Sequence, residues 1–188
     1  MHPLLIKQDN LHSEATELLE EIIYPLLKDF GEINVGGSYS YKLLSQPDID
    51  VDIINPNLNK ESYVSLCSKL ISLPEVSKFQ TNDRVNYPQT QGRPTGYWIS
   101  PTINFGKNVW KLDIWFQKPE WSKGETNRYS QKLASLIEED RISILSLKEA
   151  LISEGVYGVG KEFQSVDVYD AILQGVKTVD GLRGIAKT

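Results

Sequence analysis

The sequence predicts an α+β fold: a mixed β-sheet core that bears the functional residues, helices packed behind it, and a C-terminal helical segment. Three observations predict it. Residues 48–54 alternate acid and aliphatic at period two. Residues 96–116 read as a hairpin around Gly106-Lys107-Asn108. Both flanks of this β-rich stretch carry apolar residues at helical spacing.

Taken in order, residues 13–30 repeat Ala15, Leu18, Leu19, Ile22, Ile23, Leu26, Leu27 and Phe30 at helical spacing, with Ser13 as N-cap and Gly31 as stop. A short strand, 32–35, ends at Gly36-Gly37-Ser38, and 39–47 reads as a loop or short helical turn. Residues 48–54 put Asp48, Asp50 and Asp52 on one strand face and Ile49, Val51 and Ile53 on the other. Asn55-Pro56-Asn57 stops that strand. A helix over 60–73 is expected to turn Tyr63, Val64, Leu66, Cys67, Leu70 and Ile71 inward. Residues 76–85 suit a strand, 86–94 a loop, and 96–105 with 109–116 the hairpin. In its second arm Val109, Lys111, Asp113 and Trp115 share one face, and Trp110, Leu112, Ile114 and Phe116 the other. From Asn127 onward the pattern is helical: one long helix or two joined ones, then 167–173 and 179–186. The chain therefore divides into a core, 1–126, and a helical segment, 127–188, packed on it.

With 188 residues, 40% of them hydrophobic, the chain is long enough to bury a core without disulfides or a structural metal. The single cysteine, Cys67, forms no internal disulfide and is expected to be buried packing. No basic-then-apolar signal pattern opens the sequence and no apolar run is long enough to span a bilayer, so a cytoplasmic protein with no membrane partner is expected. The net charge of −5 weighs against a long nucleic acid as main partner, because phosphate contacts require a basic excess. A mononucleotide needs only a few local cations and amides.

Three features converge on chemistry. Gly36-Gly37-Ser38 follows a strand, where glycines permit unusual turns and freed amides with the Ser38 hydroxyl hold a phosphate; a simple turn is the plainer explanation. Asp48 and Asp50 lie about 6.5–7 Å apart along one strand face. Two carboxylates so placed repel unless a cation lies between them, and a hard divalent cation such as Mg²⁺ takes such oxygen ligands. The alternative is a solvated edge face. Asp113 is an acid on an apolar-rich strand, costly unless metal-bound or paired, and a salt bridge to Lys111 on the same face is the competing explanation.

Gly37-Ser38, then Asp48-Ile49-Asp50 ten residues after the serine, then Asp113 on a distant strand, together resemble the signature of the DNA polymerase β-like nucleotidyltransferases. The resemblance covers roughly residues 35–116. It departs close after the Gly-Ser, where Tyr39-Ser40-Tyr41-Lys42 stands in place of the usual basic residue, so Lys42 or a cation from elsewhere would serve. The resemblance implies a nucleotidyltransferase in which Asp48, Asp50 and Asp113 are catalytic and metal-binding. It further implies two Mg²⁺ ions, with Mn²⁺ able to substitute, and a nucleoside triphosphate such as ATP bound by Gly36, Gly37, Ser38 and Lys42. The nucleotidyl group passes to an acceptor hydroxyl and pyrophosphate leaves; Asp113 is a candidate for taking the proton.

Cations available for the pyrophosphate are Lys42, Arg84, Arg93, Lys107, Lys111 and Lys118. Tyr97, Trp98, Trp110 and Trp115 serve either as stacking surfaces or as core, and Glu138-Glu139-Asp140-Arg141 reads as a solvated helix face or a cationic-acceptor site. The acidic charge favours a small-molecule acceptor. Nucleotidylation of a protein or tRNA and a non-catalytic nucleotide-binding module are the alternatives, and a module that only binds has no need of a third carboxylate on a second strand.

Overall fold

A computed structural model describes residues 2–87, 94–122 and 129–185. The fold is the α+β arrangement expected. Five strands, β1 (Glu32–Gly36), β2 (Asp48–Ile54), β3 (Val76–Asp83), β4 (Tyr97–Phe105) and β5 (Asn108–Gln117), form one mixed sheet in the order β1-β2-β5-β4-β3. β2 and β5 run parallel and the other neighbours antiparallel. The helices are α1 (Pro3–Leu18), α2 (Tyr24–Leu27), α3 (Gly37–Ser40), α4 (Lys60–Ile71), α5 (Ser130–Ala134), α6 (Glu138–Ser153), α7 (Ser165–Leu173) and α8 (Val179–Ile185).

Period two does its expected work in the central strands. Ile49, Val51 and Ile53 of β2 and Trp110, Leu112, Ile114 and Phe116 of β5 are all buried on one face, against α1, α2 and α4. Burying one such side chain is worth about 1.5–3 kcal/mol, so this face fixes the strand register and turns the acids to the opposite face. Glu14 of α1 reinforces it by accepting from Trp110 Nε1 at 2.8 Å and Asn108 Nδ2 at 3.1 Å, clamping the β4–β5 hairpin to the first helix. A second apolar cluster joins α5–α8 to Leu5 of α1 and to Tyr41 and Leu43.

Three expectations need correction. The first helix starts at Pro3, not Ser13: proline suits the first turn, the His2 ring accepts from Leu4 N, and Leu5 is buried in the second cluster. The same helix loosens into a π turn at Leu19–Ile23, just before Pro25, which has no N–H to continue the ladder. In α4 only Tyr63, Leu66 and Leu70 are buried; Val64 and Ile71 are exposed, because the sheet covers only a narrow stripe. Cys67 is half-buried beside the Thr81 hydroxyl. Arg93 and the start of the helical segment at Asn127 lie outside the described residues. Among the described residues no helix is long and apolar enough to cross a membrane.

Candidate active site

The acids meet the Gly-Ser turn because of strand pairing. Asp50 lies opposite Gly36 on one side and Asp113 on the other, while Asp48 lies opposite Lys111. Just beyond Gly36, Gly37 adopts φ +60°, and a Cβ there would sit 1.9 Å from Asp50 Oδ2. Glycine is thus required twice, for the left-handed backbone and for the carboxylate that packs against it. The turn is anchored by Ser40 Oγ, which donates to Val35 O at 2.7 Å, and by Tyr39, stacked on His12 at 4.6 Å and bonded to Thr16.

Burial raises the acids. Asp48 is pushed up to about 7 by burial, with Lys111 opposing and Asp50 and Asp113 reinforcing. Burial and then Asp113 push Asp50 up to about 6, and burial and then Asp50 do the same for Asp52. Asp50 is recessed among its neighbours, which desolvates the carboxyl, yet part of its surface still reaches solvent. Asp48 Oδ1 is buried without a hydrogen-bond partner.

The opposite wall comes from the helical segment. Lys148 of α6 is 1% exposed, and its ammonium donates to Ser38 Oγ, Leu43 O and Tyr169 OH, each at 2.9 Å. Burial holds it below the usual lysine range. It lies 4.8 Å from the Tyr169 ring centroid, a cation–π contact that softens the cost of burial. Ser165 bridges Tyr157 at 2.7 Å and Ser38 at 3.4 Å. Burial pushes the Tyr169 hydroxyl up to about 12. Arg141, seven residues before Lys148, donates to Tyr41 O and Lys42 O, so one helix secures the whole segment after the Gly-Ser turn.

These two walls enclose a cleft of about 330 Å³ whose lining includes Gly37, Ser38, Asp48, Asp50, Asp52, Asp113 and Lys148. Lys42 is exposed and outside that lining, at φ +52°, beside His12. Arg84 lies over the Trp115 ring at 5.5 Å and Lys118 over Trp121 at 5.4 Å, while Lys107 sits at the β4–β5 turn. Trp110 and Tyr97 are core, Trp115 lines the cleft, and Trp98 bonds to Asp113. Glu139 and Asp140 pair with Lys177 on the helical surface.

No family model matches the chain, and no curated protein matches it. Solved structures do. A chain of the non-canonical poly(A) polymerase complex GLD-2–GLD-3 has a TM-score of 0.57 at 15% identity, over 90% of this chain and 57% of that one. A cytoplasmic RNA terminal U-transferase gives 0.56 at 15%, over 88% and 48%. A chain of the GLD-2/RNP-8 complex gives 0.55 at 16%, over 88% and 54%. The chain shares its fold with these poly(A) polymerase and terminal U-transferase structures. The chain spans about half the length of the chains it matches in these structures.

In this cleft, the residue that sequence reasoning missed is Lys148. Its signal was present: a lysine at a buried position of an apolar helix row, four residues after Ile144 and three before Leu151. Asp48, Asp50 and Asp113 would offer a divalent cation carboxylate oxygens alone, and Asp48 has one oxygen buried without a hydrogen bond. Among the described residues no three such side chains are gathered into a ready cage, and Lys111 is paired with both Asp48 and Asp113.

Proposed function

We propose that the protein transfers a nucleotidyl group from a nucleoside triphosphate to an acceptor hydroxyl with release of pyrophosphate. The observation that carries this reading is the meeting of Asp48, Asp50 and Asp113 with the Gly37-Ser38 turn and the buried Lys148 in one cleft. Asp48, Asp50 and Asp113 would hold the divalent cation, Mg²⁺ or Mn²⁺. When bound, it neutralises phosphate charge and makes the acceptor hydroxyl more acidic. Ser38 and the amides of its turn receive the outer phosphates, and Lys148 Nζ, already bonded to Ser38 Oγ, holds that hydroxyl in place behind them. The acceptor oxygen attacks the α-phosphorus, the bond to the pyrophosphate oxygen breaks, and the hydroxyl proton passes to a cleft carboxylate, with Asp113 the candidate. Positioning and charge do most of the work.

A small hydroxyl compound as acceptor is supported by the net charge of −5, which disfavours a long phosphate chain. An RNA end is the second reading, favoured by the likeness to a poly(A) polymerase complex and a terminal U-transferase. The test incubates the protein with each α-labelled nucleoside triphosphate, Mg²⁺, and either RNA or a panel of hydroxylated small molecules. Label in a small-molecule product supports the first reading and label on RNA the second. No Mg²⁺-dependent transfer to any acceptor, the protein itself included, together with no nucleotide binding, overturns both.

A further inference from the structure

The two oxygens of Asp113 have partners of different kinds. Oδ1 accepts the Trp98 indole N–H at 3.1 Å, and Oδ2 accepts from the Lys111 ammonium. Trp98 faces Trp115 across the β4–β5 pair and so lies diagonal to Asp113 on the same sheet face. Its ring is rigid and part-buried, a donor that strand geometry holds in place. Lys111 differs in every respect. Its stem is long and flexible, its side chain is 41% exposed, and its ammonium also lies 3.9 Å from Asp48 Oδ1. The Asp113 side chain, by contrast, is only 13% exposed.

Lys111 pairs across the parallel strands with Asp48 and precedes Asp113 by two residues on its own strand. Its charge therefore falls between two acids that would otherwise repel each other in a recessed site. That is also where the cation of the proposed transfer reaction would be held. The lysine is exposed enough to swing into solvent, whereas Trp98 is not free to leave.

We propose that Lys111 is a resident counter-ion. It holds the cation's place between Asp48 and Asp113 until nucleotide arrives, while Trp98 keeps Asp113 oriented so that only Oδ2 is handed from ammonium to metal. This rests on the nucleotidyltransferase reading. A metal alone must evict the ammonium from two carboxylates. A metal arriving with triphosphate brings new anionic oxygens for the displaced lysine. Metal and nucleotide therefore bind cooperatively, each raising the other's affinity by the same factor.

The experiment measures Mn²⁺ binding to the full chain by electron paramagnetic resonance, with and without a non-hydrolysable nucleoside triphosphate analogue, for wild type, Lys111→Met, Lys111→Gln and Trp98→Phe. Melting curves confirm that each variant is folded. Both Lys111 variants should bind Mn²⁺ alone more than about tenfold tighter than wild type, since a repelling charge is gone, and their coupling to the analogue should shrink. Trp98→Phe should lower Mn²⁺ affinity in the presence of the analogue by about tenfold, the usual scale for losing a group that orients a ligand. The proposal is overturned if wild type binds Mn²⁺ well with the analogue yet neither lysine variant binds it tighter alone. It is also overturned if only Lys111→Met responds, since the effect then follows side-chain polarity rather than charge. Absence of Mn²⁺ binding by wild type even with the analogue overturns the nucleotidyltransferase reading and this proposal with it.

Discussion

The strand wall and the helical wall of the cleft hold opposite charges by different means. On the strand wall, Asp48, Asp50, Asp52 and Asp113 hang on short side chains from paired strands, so the backbone ladder sets their positions. On the helical wall, Lys148 reaches the site on a long side chain and is held by hydrogen bonds to Ser38, Leu43 O and Tyr169. Burial opposes charge on both, raising the carboxyls and lowering the ammonium. The strand wall is therefore a preset carboxyl surface whose shape the strand ladder sets, whatever its protonation. The helical wall depends on its charge to stay closed.

The largest effect follows from discharging the strand wall. Asp48→Asn, Asp50→Asn and Asp113→Asn each keep the shape and remove an anion. Transfer should fall by more than about 10³-fold, the scale of losing a principal electrostatic group, while melting temperature holds or rises in Asp48→Asn and Asp50→Asn, where burial opposes charge, and not in Asp113→Asn, which gives up its ion pair with Lys111. Steady-state transfer rates beside melting curves decide it. Activity retained within about tenfold in Asp50→Asn would remove that residue from the chemistry.

Discharging the helical wall should instead cost stability. Lys148→Met keeps the length of the side chain but leaves buried Ser38, Leu43 and Tyr169 oxygens without their donor. Unfolding free energy should drop by about 1–3 kcal/mol, the cost of stranding buried polar groups. Triphosphate affinity should weaken about tenfold with loss of a charge-assisted contact. Urea unfolding and nucleotide titration test both. If Lys148→Met melts like wild type, the contrast between the walls is wrong.

The same contrast explains what the sequence disclosed. Strand periodicity is local, so Asp48, Asp50 and Asp113 are legible as a face, and Gly37 as a special turn. What strand register adds is that Asp50 itself crowds Gly37, which no spacing reports. Lys148, Ser165 and Tyr169 lie 110, 127 and 131 residues from Ser38, and only packing of the second apolar cluster brings them there. Lys42 is near Ser38 in sequence but turns to the His12 side, because φ +52° and the Arg141 bond to its carbonyl reverse the chain at that point.

A smaller effect is the pH dependence of the metal-free protein. Asp48, Asp50 and Asp52 hold their protons more tightly folded than unfolded, so protonation favours the fold. Their contribution is full below the unfolded value near 3.8 and is lost as pH rises through about 6 for Asp50 and Asp52 and about 7 for Asp48. Melting temperature in a chelator should therefore rise as pH is lowered from about 7.5 to about 4.5, less steeply in Asp48→Asn. Below that window Asp83, brought down to about 2 with its hydrogen bonds and Lys60 outweighing burial, begins to act in the opposite sense. A metal-free protein whose stability climbs with pH across the window contradicts the burial of the strand wall.

The smallest effect is expected at Asp52. It shares the strand face with Asp48 and Asp50, so the face alone does not distinguish it. Pairing does. Asp50 lies between Gly36 and Asp113, and Asp48 lies opposite Lys111, which also bonds Asp113, whereas Asp52 lies between Asn34 and Trp115, farther along β2 from the Gly37-Ser38 turn. It is also about 13 Å along the strand from Asp48, too far to share one cation whose oxygen ligands sit near 2 Å. Asp52→Asn should therefore keep transfer within about threefold of wild type, as expected of a group outside the metal's ligands, and lose only its share of the pH slope. The measurement is Mg²⁺-dependent transfer or, lacking an acceptor, Mn²⁺ affinity in the presence of nucleotide, run beside Asp48→Asn. A dead Asp52→Asn with a silent Asp48→Asn would shift the working register by two residues, moving the site one step up β2 and away from the Gly37-Ser38 turn.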